Sequence, residues 1–298
     1  MNKIAILVDS SSQIPLLGYK DKGVFVVPLQ VIIGNKVYFD GQTEDMNLET
    51  SVIDSKTIFK RMVNENIIPK TSQPTTGSIV EMLTEIKESG YDEVIGISIA
   101  TGLSSTLNGM KVAASMVEMP IVLVDSKSAA RNQRYLVEVA MKLVNEKNKT
   151  AMEIKEILDQ LVVDSATIIY TNNLDHLKKG GRITPAVAML GNMFKIVPVM
   201  KLNHGLGGKI DSFLKVRTTR KANLAIIDYL EKCGVNGDDY IITIEHADNE
   251  VMANAMIKLV KEKFGSHVET VVDYLPSVVG VHMGIGGIGY QYIKKYCE

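Results

Sequence analysis

Residues 93–125 read EVIGISIATGLSSTLNGMKVAASMVEMPIVLVD, and this stretch decides the fold class. Glu93–Ala100 and Ile121–Asp125 are short apolar runs, as expected of strands that are buried on both faces. Between them, apolar residues recur at helical spacing from Leu107 to Val117, and Pro120 ends the helical pattern. A strand, a helix and a second strand in this order predict a parallel βαβ unit.

The same alternation extends to both sides of this unit. Ile4–Asp9 is another buried-strand pattern, and Val24–Ile33 is rich in β-forming residues. Helical stripes cover residues 78–89 and the segment up to Leu143. The first half of the chain is therefore predicted to be an α/β domain, with helices on both faces of a parallel sheet.

The pattern changes after a helix that Thr150 and Glu153 open as a capping box. Beyond it, short strands cluster and are separated by Gly-rich turns, so an α+β domain is expected. We place its strands at residues 166–171, 195–200, 209–216, 240–246 and 267–274, and its helices at 219–233 and 249–263. The predicted domains are residues 1–165 and 166–298.

Composition excludes several classes of protein. The chain has 298 residues and a formal net charge of −1, so no basic excess is available to bind a nucleic acid. Two cysteines, Cys233 and Cys297, are too few for a disulfide framework, and no spacing predicts a metal site. The polar turn that follows the first apolar run does not fit a signal peptide, and no apolar run is long enough to span a membrane. We expect a soluble, cytoplasmic protein.

Methionine is unusually frequent, with 15 residues against 6 phenylalanines and no tryptophan. Because methionine is flexible and polarizable, it fills irregular apolar space. One interpretation is a Met-rich core, and the other is an apolar cavity that adapts to a flexible ligand.

Four hydroxyl-rich segments follow predicted strands or precede predicted helices: Asp9–Ser12, Lys70–Gly77, Thr101–Thr106 and Ser126–Ser128. In an open α/β sheet, ligands bind at the carboxyl ends of the strands, where such segments meet. Their hydroxyl groups and free N–H groups suit an anionic or carbonyl head group. The alternative is that each Ser or Thr only caps its helix.

Two further segments offer polar groups from the second half. The segment 174–183 ends in paired glycines and presents Arg182, and the Gly-rich segment 281–289 begins with His282. The latter lacks the βαβ context of a dinucleotide-binding loop. The sequence also lacks a phosphate loop, a nucleophile elbow and a zinc-protease motif. Hydroxyls, one histidine and arginines without an activated nucleophile indicate a binding protein.

Taken together, these motifs resemble the DegV family of bacterial fatty-acid-binding proteins. The matching segments are VDSSSQIP (8–15), YFDG (38–41), KTSQPTTG (70–77), ISIATGLSSTLNGM (97–110), VLVDSKSA (122–129), LDHLKKGGRI (174–183), LKVRT (214–218), IEHADN (244–249) and HMGIGG (282–287). They occur in the family's order and cover essentially the whole chain. The TSQP and LxxLxxGGRI elements are the most specific of them.

The resemblance implies a two-domain carrier that holds one long-chain fatty acid in a tunnel between its domains. It also implies a partner, a separate ATP-dependent kinase subunit of the dihydroxyacetone-kinase-like type, which phosphorylates the presented carboxylate. Transient contact with a membrane fits such a carrier, whereas a cofactor, a metal or a nucleic acid does not. Carried over to this sequence, the resemblance places Thr71, Ser104 and His282 at the carboxylate, Ser72, Ser105 and Ser126 in supporting loops, and Arg182 and Arg217 facing the kinase or the phosphate.

Two positions depart from the family pattern, because Ser105 and Ile285 stand where Gly and Pro are usual. Two alternatives to the carrier stay open. In the first, the chain is a phosphatase or acyl hydrolase that uses Ser104 or Ser10 with His282. In the second, it is a lipid sensor without turnover. The segments 40–50 and 186–195 are candidate lids, and Met193 and Phe194 make the second one apolar enough to touch a bilayer.

Overall fold

A computed structural model describes residues 2–42, 51–146, 149–171, 174–185, 187 and 196–297. In chain order its strands are β1 (Ile4–Asp9), β2 (Val24–Val27), β3 (Gln30–Ile33), β4 (Lys36–Asp40), β5 (Val52–Ile53), β6 (Lys70–Ser72), β7 (Glu93–Ser98), β8 (Ile121–Asp125), β9 (Ser165–Tyr170), β10 (Val197–Asn203), β11 (Asp211–Val216), β12 (Tyr240–His246), β13 (Glu269–Tyr274) and β14 (Ile288–Lys294). The helices are α1 (Ser55–Asn64), α2 (Thr76–Glu88), α3 (Thr106–Val117), α4 (Ala130–Asn145), α5 (Ala151–Val163), α6 (Asp175–Gly180), α7 (Thr219–Lys232), α8 (Glu250–Phe264) and α9 (Ser277–Met283).

The first sheet has the order β2-β1-β7-β8, and all of its strands are parallel. Helices α2 and α3 bury their apolar residues against one face, and α4 and α5 bury theirs against the other. The expected parallel sheet covered by helices on both faces is confirmed. The capping box of Thr150 and Glu153 is also present at the start of α5.

The second sheet has the order β11-β10-β9-β14-β12-β13 and mixes antiparallel pairs with the parallel pair β12–β13. Helices α7 and α8 cover one face with a core that includes Ile226, Leu230 and Met256. The fold class, a parallel-sheet domain followed by a domain with its own sheet, is confirmed. Strands up to β8 and strands from β9 onward do not share a sheet, which agrees with a division near residue 165; the exact boundary stays a prediction.

A third small sheet, β5-β4-β3-β6, is absent from the sequence-based prediction. The segment Val24–Ile33 was expected as one β region, but it divides between two sheets at Pro28. Proline has no N–H to donate to a ladder, so it separates strands. Pairing of β3 with β6 places Thr71 opposite Val31, and this register holds Thr71 beside the second domain.

Strand β10 ends at Asn203 rather than at the predicted residue 200. The predicted strand ends before the polar residues Lys201 and Asn203. Their backbones nevertheless continue the ladder with β9, where Lys201 pairs with Ile168 and Asn203 with Ala166. Within the ranges that the structure describes, no helix combines the length and the hydropathy required to cross a bilayer.

Candidate functional site

A cavity lies between the loops of the first domain and the face of the second sheet that is turned away from α7 and α8. Its apolar wall consists of Leu29, Ile99, Leu103, Ala129, Ala130, Ile169, Leu177, Leu202, Ile210, Leu275, Val278, Val279 and Met283. Its polar wall consists of Thr71, Ser72, Gln73, Ser104, Thr167, Arg182, Glu245, His282 and Gln291.

One corner of the cavity is built around a hydrogen bond between two distant segments. Thr71 Oγ1 on β6 lies 2.7 Å from His282 Nε2 on α9. Either atom is able to donate, because the roles depend on the tautomer of the imidazole. The pair joins the TSQP segment to the Gly-rich tail segment, two of the motifs that the sequence singled out.

Packing against Gly180 fixes the imidazole of His282. A Cβ atom at Gly180 would lie only 2.2 Å from His282 Nδ1, so the ring occupies the space of the missing side chain. Burial, followed by the charges of Arg182 and His176, lowers the pKa of His282 to about 4. The ring is therefore neutral at pH 7.

Arg182 follows α6 and brings a positive charge to the same corner. Its Nε donates to the carbonyl oxygen of Leu103 at 3.4 Å, and its Nη1 donates to the carbonyl oxygen of Gly180. The guanidinium is thus held by two backbone carbonyl groups and has further N–H donors.

Ser104 belongs to the loop between β7 and α3. Its Oγ lies 2.8 Å from Thr106 Oγ1, and its backbone N–H donates to the carbonyl oxygen of Ala100 at 3.1 Å. Ser72 also lines the cavity, one residue beyond Thr71. Thr71, Ser72, Ser104, Arg182 and His282 therefore all line the cavity, and the hydrogen bond from Arg182 to Leu103 connects Arg182 to the residue before Ser104.

Three other predicted site residues lie outside the cavity wall. Ser105 is exposed at the start of α3, and Arg217 is exposed directly after β11. Ser126 is buried, and its Oγ donates to the carbonyl oxygen of Ser128 at 2.9 Å. Ile285, the second departure from the family pattern, is also exposed. Neither departure adds a side chain to the cavity.

The segment Asp9–Ser12 does not join the site either. Ser10 Oγ donates to Asp40 Oδ2 at 2.7 Å and accepts from the backbone N–H of Leu29 at 3.0 Å. Among the described residues, His282 is hydrogen bonded to Thr71 rather than to Ser10 or Ser104.

The corner also borders an outer depression. Thr71, Arg182 and His282 line both the cavity and this depression, whose own walls include the exposed Lys70 and Lys179. The polar corner thus lies between an apolar interior and a positively charged surface.

Sequence analysis missed Gln73, Thr167, Glu245 and Gln291, which also line the cavity. The available signal was a polar residue within an otherwise apolar strand, as in YIITIEH and IGYQYI. Methionine contributes little to the described wall, where Met283 is its one representative. Met62, Met110, Met119, Met200 and Met256 are buried in the cores, which favours the interpretation of a Met-rich core.

Two predictions fall largely on residues outside the described part of the chain. They concern the candidate lids, of which residues 43–50, 186 and 188–195 are not described, Met193 and Phe194 included. In the ranges that are described, no group of three or more His, Cys, Asp or Glu residues is arranged to hold a metal ion.

Comparison with known proteins identifies the family. Residues 3–295 match the family model described as "Uncharacterised protein, DegV family". This chain belongs to the DegV family. A DegV domain-containing protein of Halalkalibacterium halodurans is 30% identical over 297 residues, which cover 99% of this chain and 100% of the relative.

Other DegV relatives are described by what they bind. A protein of Thermotoga maritima named fatty acid-binding protein is 28% identical over 290 residues, covering 97% of this chain and 96% of its own. The crystal structure of DegV from Bacillus subtilis, described as a fatty acid binding protein, matches with a TM-score of 0.85 and 27% identity, covering 99% of this chain and all of that one. Fatty acid binding is thus a described property of DegV-family members.

We expect Gly180→Ala to displace the imidazole of His282, because the added Cβ would overlap Nδ1. The hydrogen bond to Thr71 should be lost, and the ring resonances of His282 should shift in NMR spectra of the histidine side chains. Gly181→Asn is the matched control, since Gly181 has a φ of +69° that Asn tolerates and open space around it. Unchanged resonances in Gly180→Ala would contradict the packing described above.

We also expect His282 to stay neutral between about pH 5.5 and 8, whereas an ordinary histidine titrates near 6.5 in this range. Its lowered pKa places the titration below this window. The measurement is a pH series of imidazole ¹⁵N and ¹³C shifts, with His282 assigned by its absence in His282→Gln. An inflection of the assigned resonance near pH 6.5 would show that the ring is solvated rather than buried.

Proposed function

We propose that this protein binds one long-chain fatty acid, with the alkyl chain in the cavity and the carboxylate at the corner of Thr71, Ser104 and His282. The observation that carries the proposal is the combination of a mainly apolar cavity with one corner of hydroxyl groups, a neutral imidazole and Arg182. Ser72 supports the same corner. The description of DegV-family relatives as fatty acid-binding proteins favours the same ligand.

The alkyl chain supplies most of the affinity. Burial of a methylene group contributes about 0.8 kcal/mol, so roughly sixteen carbons contribute on the order of 10 kcal/mol before the costs of ordering the ligand. The apolar wall residues, from Leu29 to Met283, provide the surface for this burial. Affinity therefore depends mainly on chain length.

The corner supplies orientation. Hydroxyl groups donate to a carboxylate without the full cost of burying an ion pair. A neutral His282 adds a donor or an acceptor, and Arg182 adds a positive charge whose hydrogen bonds to backbone carbonyls hold it in place. A fatty acid bound in the reverse orientation would have its carboxyl group in the apolar interior, far from these partners. The orientation with the carboxylate at the corner is therefore favoured.

We further propose that the bound carboxylate is presented to a separate ATP-dependent kinase. A carboxylate oxygen attacks the γ-phosphorus of ATP, ADP leaves, and an acyl phosphate forms on the carried ligand. The position of the corner beside an outer depression with Lys70, Lys179 and Arg182 supports this step, because positive charges attract a phosphoryl donor. Arg217 does not line the depression, and its contact with the kinase stays a prediction.

We expect mass spectrometry of an organic extract of the purified protein to find a long-chain fatty acid in near-stoichiometric amount. The extensive apolar wall predicts slow loss of the ligand during purification. A protein that yields no lipid and binds no added fatty acid would overturn the proposed binding function. Denatured protein carried through the same extraction controls for lipid that adheres unspecifically.

The kinase step is tested with the fatty-acid-loaded protein, ATP and a purified kinase of the dihydroxyacetone-kinase-like type. We expect acyl phosphate only when both proteins are present, and about tenfold slower formation with Arg182→Gln, as loss of one charged hydrogen bond predicts. Arg220→Gln, which removes an exposed arginine on α7, is the matched control.

Each other outcome of this assay assigns a different function. Turnover of an acyl phosphate or ester by the chain alone would support the hydrolase interpretation. Binding of fatty acid without phosphoryl transfer by any such kinase would favour a lipid sensor.

A further inference from the structure

A second polar group interrupts the apolar wall, away from the corner described above. It consists of Glu245 on β12, Gln291 on β14 and Thr167 on β9. These strands are neighbours in the second sheet, and the register pairs Gln291 directly with Thr167 and places Glu245 opposite Gly289. Their side chains therefore project from the same sheet face into the cavity.

Glu245 is fully buried, and only one of its carboxyl oxygens is used. Oε1 accepts the backbone N–H of Arg131 at 3.1 Å. Oε2 has no hydrogen-bond partner. Among the described residues, three buried side-chain atoms are without a partner, and Glu245 Oε2 is the one that belongs to the cavity wall. A buried polar atom left in this state is costly, so a ligand atom or water that pairs with it is favoured.

The neighbouring groups already satisfy one another. Gln291 Oε1 accepts the N–H of Asn132 at 2.8 Å, and its Nε2 donates to the carbonyl oxygen of Ala129 at 2.9 Å and to Thr167 Oγ1 at 3.0 Å. Thr167 Oγ1 also shares a hydrogen bond with Ser128 Oγ at 2.9 Å. This network holds the surroundings rigid and leaves Glu245 Oε2 as the open position.

The protonation state decides which ligand group fits. Burial raises the pKa of Glu245 to about 8; the hydrogen bond from the N–H of Arg131 lowers it, the charge of Asp273 raises it, and the charge of the Arg131 guanidinium lowers it. A neutral carboxyl group both donates and accepts. An alcohol matches it in both roles, whereas an anionic group would require burial of an unpaired charge.

Apolar residues separate this group from the corner at His282. Val279 lies three residues before His282 on α9 and packs against the cluster formed by Ile99, Ala129 and Ala130. Ala129 in turn accepts the hydrogen bond from Gln291. A ligand held at both places must therefore carry its second polar atom on the alkyl chain, beyond an apolar stretch.

We propose that Glu245, positioned by Gln291 and Thr167, is a subsite for a hydroxyl group on the alkyl chain, so that the protein prefers a monohydroxylated long-chain fatty acid. This inference rests on the proposed fatty acid binding and names the ligand class more closely. The hydroxyl oxygen accepts a hydrogen bond from the O–H of the neutral carboxyl group, and the hydroxyl hydrogen is donated to the same carboxyl group or to a bridging water.

The test compares stearic acid with monohydroxylated stearic acids whose hydroxyl group is placed at successive positions, from the carbon beside the carboxylate to the terminal carbon. Affinities are measured on delipidated full-length protein, by competition with a fluorescent fatty acid. We expect one position, or two adjacent ones, to bind about tenfold more tightly than stearic acid, as one additional buried hydrogen bond predicts. A hydroxyl beside the carboxylate should give no such gain.

Two variants link the preference to Glu245. Glu245→Leu should abolish the preference, because it removes both oxygens that could pair with the hydroxyl group. Glu245→Gln, which still offers an acceptor to the N–H of Arg131 and a donor to the ligand, should retain most of it. Glu250→Gln, which removes an exposed carboxylate at the start of α8, is the matched control and should keep the full preference.

The outcomes separate this inference from the function on which it rests. Stearic acid binding with no favoured hydroxyl position would overturn the inference alone, and would mean that a buried water or no group at all faces Oε2. Failure to bind stearic acid and every hydroxylated isomer would overturn the proposed function, and the inference with it. If Glu245→Leu does not fold, the position series on the parent and the Glu245→Gln variant decide. A preference that survives in folded Glu245→Leu would show that another group recognises the hydroxyl.

Discussion

The structure depends on how the first turn of α4 is capped. The N–H groups of the first turn of a helix have no partner within the helix. In α4, two of them are satisfied from the other domain: Arg131 N–H by Glu245 and Asn132 N–H by Gln291. In addition, the side-chain amide of Asn132 donates to the carbonyl oxygens of Tyr292 and Ala166 in the second sheet. A helix of the first sheet is thereby joined to three strands of the second.

This capping has a consequence for the space between the two sheets. Glu245 and Gln291 reach the helix only if their sheet face turns towards it, and the same face then forms a wall of the cavity. Helices α7 and α8 cover the opposite face, so nothing in their core competes for these polar side chains. Ala130 adopts a φ of +60°, a left-handed conformation that costs energy for a residue with a Cβ. The hydrogen bonds at the next two residues hold it there, as expected where surrounding structure fixes a strained residue.

The sequence predicted those parts of the fold that depend on local pattern. Strands such as β7 and β8 carry their own apolar signature, and the capping box of Thr150 and Glu153 is a local hydrogen-bond motif. The small sheet that contains β6 was missed, because a three-residue strand has no periodicity to detect. Its position depends on pairing with β3, some forty residues earlier, which is a long-range contact.

The candidate site was predictable to a similar degree. Thr71, Ser104 and His282 were named from the motifs that carry the family resemblance; all three line the cavity, and Thr71 is hydrogen bonded to His282. Ser126 belongs to an equally hydroxyl-rich segment, but its Oγ is used within its own turn, a local hydrogen bond that competes with ligand binding and cannot be recognised in the sequence. Glu245 was missed because its hydrogen bond is long-range, in contrast to the local hydrogen bond of Ser126. Its role depends on a helix more than a hundred residues away, and nothing next to it in the sequence indicates that partner.

The corner at His282 and the polar group at Glu245 line the same cavity but differ in charge. Arg182 is the one cationic residue of the described wall, and His282 beside it is neutral. Glu245 is the one acidic residue of that wall, and its raised pKa keeps it protonated at neutral pH. The proposed carboxylate position therefore lies beside the one cationic side chain of the wall, and the proposed hydroxyl position lies beside a neutral carboxyl group. The raised pKa of Glu245 also makes folding stability depend on pH. The folded state keeps a proton on Glu245 up to about pH 8, whereas the unfolded chain releases it at lower pH, so the contribution of Glu245 to the free energy of unfolding falls as pH rises towards 8. The proposed discrimination between an ionised head group and a neutral group on the chain thus depends on the protonation states of two buried side chains, His282 and Glu245.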